Sequence, residues 1–163
     1  MSNNHREAVV VGGASGIGWA SAQLLAADGY RVTIADRNAD LAAQRANTLG
    51  EPHDWAIVEV TDEDSVAALF DGVVDRGGRL DAVVNCAGFS GFGMITDLDA
   101  EQFRSVVDVC LTGGFLVLKH AGRHLHEGAS VVSLTSLNAR QPAIGMSAYS
   151  AANAFLDGLT WRL

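Results

Sequence analysis

The chain has 163 residues, 48% of them apolar and 18% charged, which suits one compact core and excludes both two ordinary domains and a disordered chain. The formal net charge is −8, and the basic residues are one lysine and ten scattered arginines, so no patch offsets a field that repels nucleic acid. The polar start Met1–Glu7 lacks the apolar stretch of a secretory signal, and the apolar-leaning run Val106–Leu118 is broken by Asp108, Thr112 and two glycines, short of the ~20 apolar residues of a membrane span. These features predict a cytosolic protein with neither nucleic-acid nor membrane contacts.

Along the chain, short β-branched runs alternate with longer Ala/Leu-rich stretches, the rhythm of βαβ units feeding a parallel sheet covered on both faces. Strands are predicted at Ala8–Val11, Arg31–Ala35, Trp55–Glu59, Asp81–Val84 and Ser130–Thr135. Helices are predicted at Gly16–Asp28, Ala39–Leu49, Asp62–Arg76 and Ala100–His126, with a last one from Ser147 onward carrying Phe155, Leu156, Leu159 and Leu163. Asp62 suits a helix N-cap, and Gly29, Gly50 and the Gly77-Gly78 pair follow helices where a left-handed residue is wanted. The result is an α/β, three-layer, doubly wound parallel sheet in one domain spanning residues 1–163. The last helix stops without a cap, so the sheet is expected to be incomplete at its C-terminal edge, with the fifth strand open to pairing.

The first strand runs into Gly12-Gly13-Ala14-Ser15-Gly16-Ile17-Gly18, which places glycines where a strand ends and a helix begins. Gly12 permits a tight turn, Gly16 lets backbone approach a diphosphate, and Gly18 allows close helix packing. Free N–H groups and the helix dipole then hold the anion. Asp36 ends the second strand, eighteen residues after Gly18, where a carboxylate accepts from ribose hydroxyls and repels a 2′-phosphate. NAD is therefore expected in preference to NADP, with the adjacent Arg37 as the one feature favouring the phosphorylated form.

In this setting the sequence resembles the short-chain dehydrogenase/reductase family from Ala8 to about Gly158. The glycine turn is similar to the family's TGxxxGIG, with Val11 where threonine is usual, and Ser15 and Ile17 fall within it. Asn85-Cys86-Ala87-Gly88 resembles its NNAG segment, and Glu59-Val60 its adenine-contacting Asp-Val pair. Ser136 and Tyr149, thirteen residues apart, align with its catalytic serine and tyrosine. The resemblance implies a Rossmann-type fold, an NAD(P)-dependent hydride transfer between nicotinamide and a small alcohol or ketone, and a homo-oligomer joined through the last two long helices. On chemical grounds, a serine at a strand's C-terminal end can donate to a carbonyl oxygen while a tyrosine exchanges a proton with it.

The pattern departs from the family at two polar positions. Tyr-x-x-x-Lys becomes Tyr149-Ser150-Ala151-Ala152-Asn153, and Cys110 stands where the preceding helix carries asparagine in the family, or lysine in polyketide ketoreductases. An ammonium about 4 Å from a phenol contributes on the order of 4 kcal/mol at an effective dielectric of 20, about three pKa units. Asn153 can hydrogen-bond a ribose but carries no charge, and Lys119, nine residues beyond Cys110, falls about half a turn away in azimuth. The family's sixth and seventh strands and substrate-covering helix have no counterpart. A second reading therefore stands beside the enzyme: a catalytically impaired dinucleotide-binding module that acts through assembly.

Among the lesser signals, Cys86 and Cys110 lack metal or disulfide spacing and are expected to be small buried groups. His120 and His124, at i,i+4 near a helix end, are expected to serve the helix dipole rather than a metal. Trp19, Trp55 and Trp161 are expected in the core or an interface.

Overall fold

The structure is a computed structural model that describes residues 6–77 and 79–159. Five strands form one parallel sheet in the order β3-β2-β1-β4-β5: β1 (Arg6–Val11), β2 (Tyr30–Asp36), β3 (Asp54–Ile57), β4 (Leu80–Asn85) and β5 (Leu125–Ser133). The order reverses between β1 and β4, so the crossovers after β1 and β2 lie on one face and those after β3 and β4 on the other.

Both faces are apolar because β1 alternates two hydrophobic sets rather than one. Ala8 and Val10 point with Val32 and Ile34 against Ala22 of α1 (Gly16–Ala27) and Ala42 and Ala46 of α2 (Ala39–Leu49). Val9 and Val11 point the other way, against Val66, Phe70 and Val73 of α3 (Glu63–Gly77) and Leu116, Val117 and Ala121 of α5 (Gly114–His124). A third cluster joins Val106 of α4 (Ala100–Val107) and Cys110 to Ala148 and Ala152 of α6 (Ser147–Leu159).

Helix ends obey their local signals. Asp62 accepts from the N–H groups of Asp64 and Ser65 at 3.0 and 3.4 Å and caps α3, while Gly29 and Gly50 take φ of +83° and +79° beyond α1 and α2. Gly77 ends α3; Gly78, Trp161 and Leu163 lie outside the described residues.

Several boundaries differ from the sequence reading: β3 ends at Ile57 rather than Glu59, and β5 ends at Ser133 rather than Thr135. The helix expected to continue to His126 ends at His124, and β5 begins at once at Leu125, paired with Leu80 across a register irregularity before Ala82. His126 is therefore a strand residue: its Nε2 lies 2.9 Å from Asp81 Oδ1. Polar His126-Glu127-Gly128 reads locally as a helix end, whereas pairing with β4 makes it strand. The same helix is also not uniform, since Asp108–Gly113 winds as a π turn between α4 and α5. Gly113 and Gly114 sit at its end, where a Cβ would come within 2.8 Å of Val60 and 2.7 Å of Leu156. The full helix, Ala100–His124, has 25 residues and the apolarity of a membrane span, more than the run Val106–Leu118 promised; half of that window is buried inside the protein, as a core helix requires.

The histidines pair across helices rather than only with a dipole. His120 Nε2 lies 3.1 Å from Glu63 Oε1 and His124 Nε2 lies 2.9 Å from Asp71 Oδ1, tying α5 to α3. Trp19, on α1, packs at the edge of the core with its ring against Arg45 of α2, but Trp55 is 41% exposed on the edge strand β3. Among the described residues Phe70 is the largest side chain with no exposure, so Phe70→Ala is expected to cost about 3–5 kcal/mol of unfolding free energy in urea titration; a loss under about 1 kcal/mol would contradict this placement of the core.

Candidate active site

The C-terminal ends of β1, β2, β4 and β5 lie in register, with Val11 opposite both Ala35 and Asn85, and Asn85 opposite Ser133. The loops leaving these strands therefore open onto the same side of the sheet, at the point where strand order reverses. A crevice of about 220 Å³ there is lined by Gly12, Ser15, Asp36, Arg37, Glu59, Val60, Ala87 and Gly88. It adjoins a second hollow of about 520 Å³ that shares Gly12, Ser15, Ala87 and Gly88 with it and adds Gly16, Ile17, Gly18, Ser136, Tyr149 and Asn153. One trough thus brings together every site residue expected from the sequence except Asn85.

The glycine turn is shaped by contacts a side chain would obstruct. A Cβ on Gly18 would lie 2.1 Å from the Gly12 carbonyl oxygen, and one on Gly12, at φ +72°, would lie 2.9 Å from Ala87 N. At Gly16, with φ +52°, the same atom would meet nothing within 4 Å, so this backbone faces open space. The N–H groups of Gly12 and Gly13 both donate to the Ala35 carbonyl, at 2.8 and 3.1 Å.

Asp36 lines the crevice but has a second task that the sequence did not reveal. Its Oδ2 accepts from Ala14 N–H at 3.1 Å and its Oδ1 from Asn38 N–H at 3.0 Å, so the carboxylate clamps the glycine turn. Each oxygen keeps a further lone pair for a ligand hydroxyl. Glu59 is steadied by Thr61, whose N–H and Oγ1 donate to its Oε1 at 3.2 and 2.9 Å. Arg37 is exposed and borders a shallow surface with Asn38, Ala39, Asp40 and Glu59.

Asn85 holds the wall of the trough rather than lining it. It is 1% exposed, its Oδ1 accepts from Ala87 N–H at 3.2 Å, and its carbonyl accepts from Leu134 N–H at 2.8 Å. These bonds set the two segments that carry Gly88 and Ser136.

At the other end, Ser136 caps the 3₁₀ turn Leu137–Ala139, its Oγ accepting from Asn138 N–H at 3.2 Å. An accepting Oγ has its own O–H left to donate. Tyr149 is half-buried in the first turn of α6. Asn153, 3% exposed, donates from Nδ2 to the Tyr149 carbonyl at 2.9 Å, so it braces the helix beneath the tyrosine. Among the described residues no lysine or arginine lines this half. Lys119 is committed elsewhere: its Nζ donates to Glu63 Oε1 at 2.6 Å and lies 5.9 Å from the Phe115 ring centroid. Arg140 pairs with Asp157 at 3.2 Å.

Both cysteines are free. Cys110, in the π turn, donates to the Phe89 carbonyl at 3.4 Å, and burial pushes its thiol up. Cys86 is not simply core: it borders both hollows, and burial pushes its thiol up to about 11.

The strand order, reversed at the crevice, and the glycine turn define a Rossmann-type α/β domain. Residues 6–163 match the short chain dehydrogenase family, and the chain belongs to it. It is 41% identical over 160 residues to cis-4-hydroxycyclohexanecarboxylate dehydrogenase of Sinomonas cyclohexanicum, covering 95% of this chain and 64% of that protein. It is 38% identical to momilactone A synthase of Oryza sativa subsp. japonica, covering 94% and 58%. A short-chain type dehydrogenase/reductase from Mycobacterium ulcerans superposes with a TM-score of 0.91 at 36% identity, covering 98% of this chain and 61% of that one. The chain thus spans about three-fifths of the length of these relatives.

The raised Cys86 thiol gives a pH prediction. A thiol titrating near 9 when unfolded and near 11 when folded contributes stability that is complete below pH 9 and is lost as pH rises towards 11. Urea titrations across that window are expected to show wild type losing on the order of 1–2 kcal/mol more than Cys86→Ala; parallel pH profiles would contradict the assignment.

Proposed function

We propose that this chain is the coenzyme-binding and proton-transfer part of an NAD-dependent oxidoreductase that interconverts a small secondary alcohol and its ketone. The observation that carries the reading is the single trough, with a glycine turn and Asp36 at one end and Ser136 and Tyr149 at the other. The residues fit a dinucleotide: Gly16 presents bare backbone to open space, and Asp36 keeps acceptor capacity towards a ribose. Gly12, Ser15, Gly16, Ile17 and Gly18 would face the diphosphate, Glu59 and Val60 the adenine side, and Ala87, Gly88 and Asn153 the nicotinamide side. The carboxylates of Asp36, Asp40 and Glu59 around Arg37 favour NAD over its 2′-phosphorylated counterpart.

When bound, the nicotinamide supplies the hydride acceptor or donor. Ser136 donates its O–H to the substrate oxygen and polarises it, and Tyr149 Oη exchanges a proton with that same oxygen. Asn153 stands in place of a cation and supplies no positive charge beside the reacting oxygen. The step is slowed accordingly, not abolished.

The substrate's body is apolar in this reading. The loops carrying Ser136 and Phe89 also present Phe92, Ile95, Leu137 and Ile144, each more than two-thirds exposed, and no cation lines this half of the trough among the described residues. The relative from Sinomonas cyclohexanicum is named for a ring-borne alcohol that also carries a carboxylate, which supports a cyclic secondary alcohol but not the apolar body. A homo-oligomer in the cytosol completes the proposal, supported by exposed Phe103, Phe115 and Phe155 on α4, α5 and α6 and by the free thiols.

Calorimetry is expected to show NAD binding at least tenfold tighter than NADP, with Asp36→Ala narrowing the gap. In steady-state assays on cyclic secondary alcohols, Tyr149→Phe should remove turnover and Asn153→Lys should raise kcat, by up to on the order of 10²-fold. Absence of turnover in both wild type and Asn153→Lys, despite tight NAD binding, would overturn the enzymatic reading.

A further inference from the structure

Arg45 belongs to neither the glycine motif nor the trough lining, yet it reaches the turn from α2. Its Nε donates to the Ala14 carbonyl at 3.1 Å, across 31 residues of sequence, while its guanidinium stacks on the Trp19 ring at 4.8 Å from the centroid. The N–H of the same Ala14 is held by Asp36 Oδ2 at 3.1 Å. Both peptide groups flanking Ala14 are therefore gripped by charged side chains, one anionic and one cationic, and Ala14 itself is 1% exposed.

Peptide planarity gives this clamp a direction. In a trans peptide the carbonyl of one residue and the N–H of the next point oppositely. Arg45 draws the Ala14 carbonyl towards α2, so the Ser15 N–H is turned the other way. Ser15 lines both hollows of the trough, and its N–H has no acceptor among the described residues. A cation on the carbonyl also polarises that peptide and strengthens its N–H as a donor.

We infer that Arg45 is a positioning residue for anion binding: stacked on Trp19, it aims the Ser15 amide at the diphosphate of the coenzyme without touching the ligand itself. This rests on the dinucleotide reading and adds a residue to it. Trp19 holds the guanidinium plane in register, because a stacked Arg offers its Nε edge in a fixed direction that an unanchored chain would not keep.

The test compares a ligand that carries the diphosphate with one that lacks it. ADP and adenosine are titrated by calorimetry, adenosine by displacement, into wild type, Arg45→Met and Arg45→Lys. The methionine retains a stem against Trp19 without charge or donor; the lysine retains a cation within reach of the same carbonyl. Arg45→Met is expected to lose about tenfold in ADP affinity with adenosine within twofold of wild type, and Arg45→Lys to recover part of the loss. Should the methionine variant not fold, the lysine variant alone decides, its ADP-to-adenosine affinity ratio being expected to fall about threefold. An unchanged ratio, or equal losses for both ligands, overturns the assignment to Arg45 and leaves the dinucleotide reading standing. Wild type failing to bind ADP at all overturns both.

Discussion

The structure depends on how closely the turn after β1 folds onto the start of α1. The Cα of Gly18 approaches the Gly12 carbonyl so nearly that a Cβ would stand 2.1 Å from that oxygen. In the same turn the N–H groups of Gly12 and Gly13 share the Ala35 carbonyl, which fixes the turn against the end of β2. The next residue, Asp36, then meets Ala14 N–H, and Arg45 meets the Ala14 carbonyl from α2. A steric allowance at one glycine thus propagates through four hydrogen bonds into the placing of two charges around a backbone that faces the trough.

The opposite end of the sheet is organised by charge. Near the N-terminal ends of β1, β2 and β4, Arg31 pairs with Glu7 at 2.9 Å, and Asp81 accepts from Glu7 N–H, Arg79 and His126. Burial raises Glu7 above the usual carboxylate range despite its arginine partner. At Asp81 burial works in the same direction, but Arg79, the Glu7 amide and His126 outweigh it and hold the carboxyl low. These pairs satisfy groups that the strand ends would otherwise bury alone, a condition for keeping the fold rather than a large net gain. The chemistry-bearing groups gather instead at the C-terminal ends, where backbone amides and hydroxyls outnumber cations.

Much of this arrangement was legible locally. The strand-to-helix rhythm, the glycine spacing, the acid ending β2 and the Ser136 and Tyr149 settings are each carried by a few neighbouring residues, and all five strands and the helices between them occur in the expected order, with boundaries that shift most at β5 and the helix before it. What sequence could not supply depends on distant partners. Leu125–Glu127 is strand because β4 is beside it. The π turn at Asp108–Gly113 has no local cue beyond its paired glycines, which meet Val60 and Leu156 only in the folded chain. Asn85, expected as a cofactor contact from its motif, also braces the fold, and Asp36, which lines the crevice, also clamps the glycine turn. Arg45 carried no motif at all; its signal was only a long basic side chain in a helix beyond the glycine turn.

The proposed site accordingly divides into a binding end that local motifs specify and a reacting end whose electrostatics depend on substitutions. Cys110 and Asn153 stand where cationic or amide groups are expected from the family, and both are turned to structural bonds, with the Phe89 and Tyr149 carbonyls. The central claim concerns the binding end. A crystal structure of the protein soaked with NAD tests it most directly: the account requires the diphosphate on the amides of Ser15–Ile17 and the adenosine ribose within hydrogen-bond reach of Asp36. Dinucleotide density elsewhere, with that trough filled only by solvent, would contradict it.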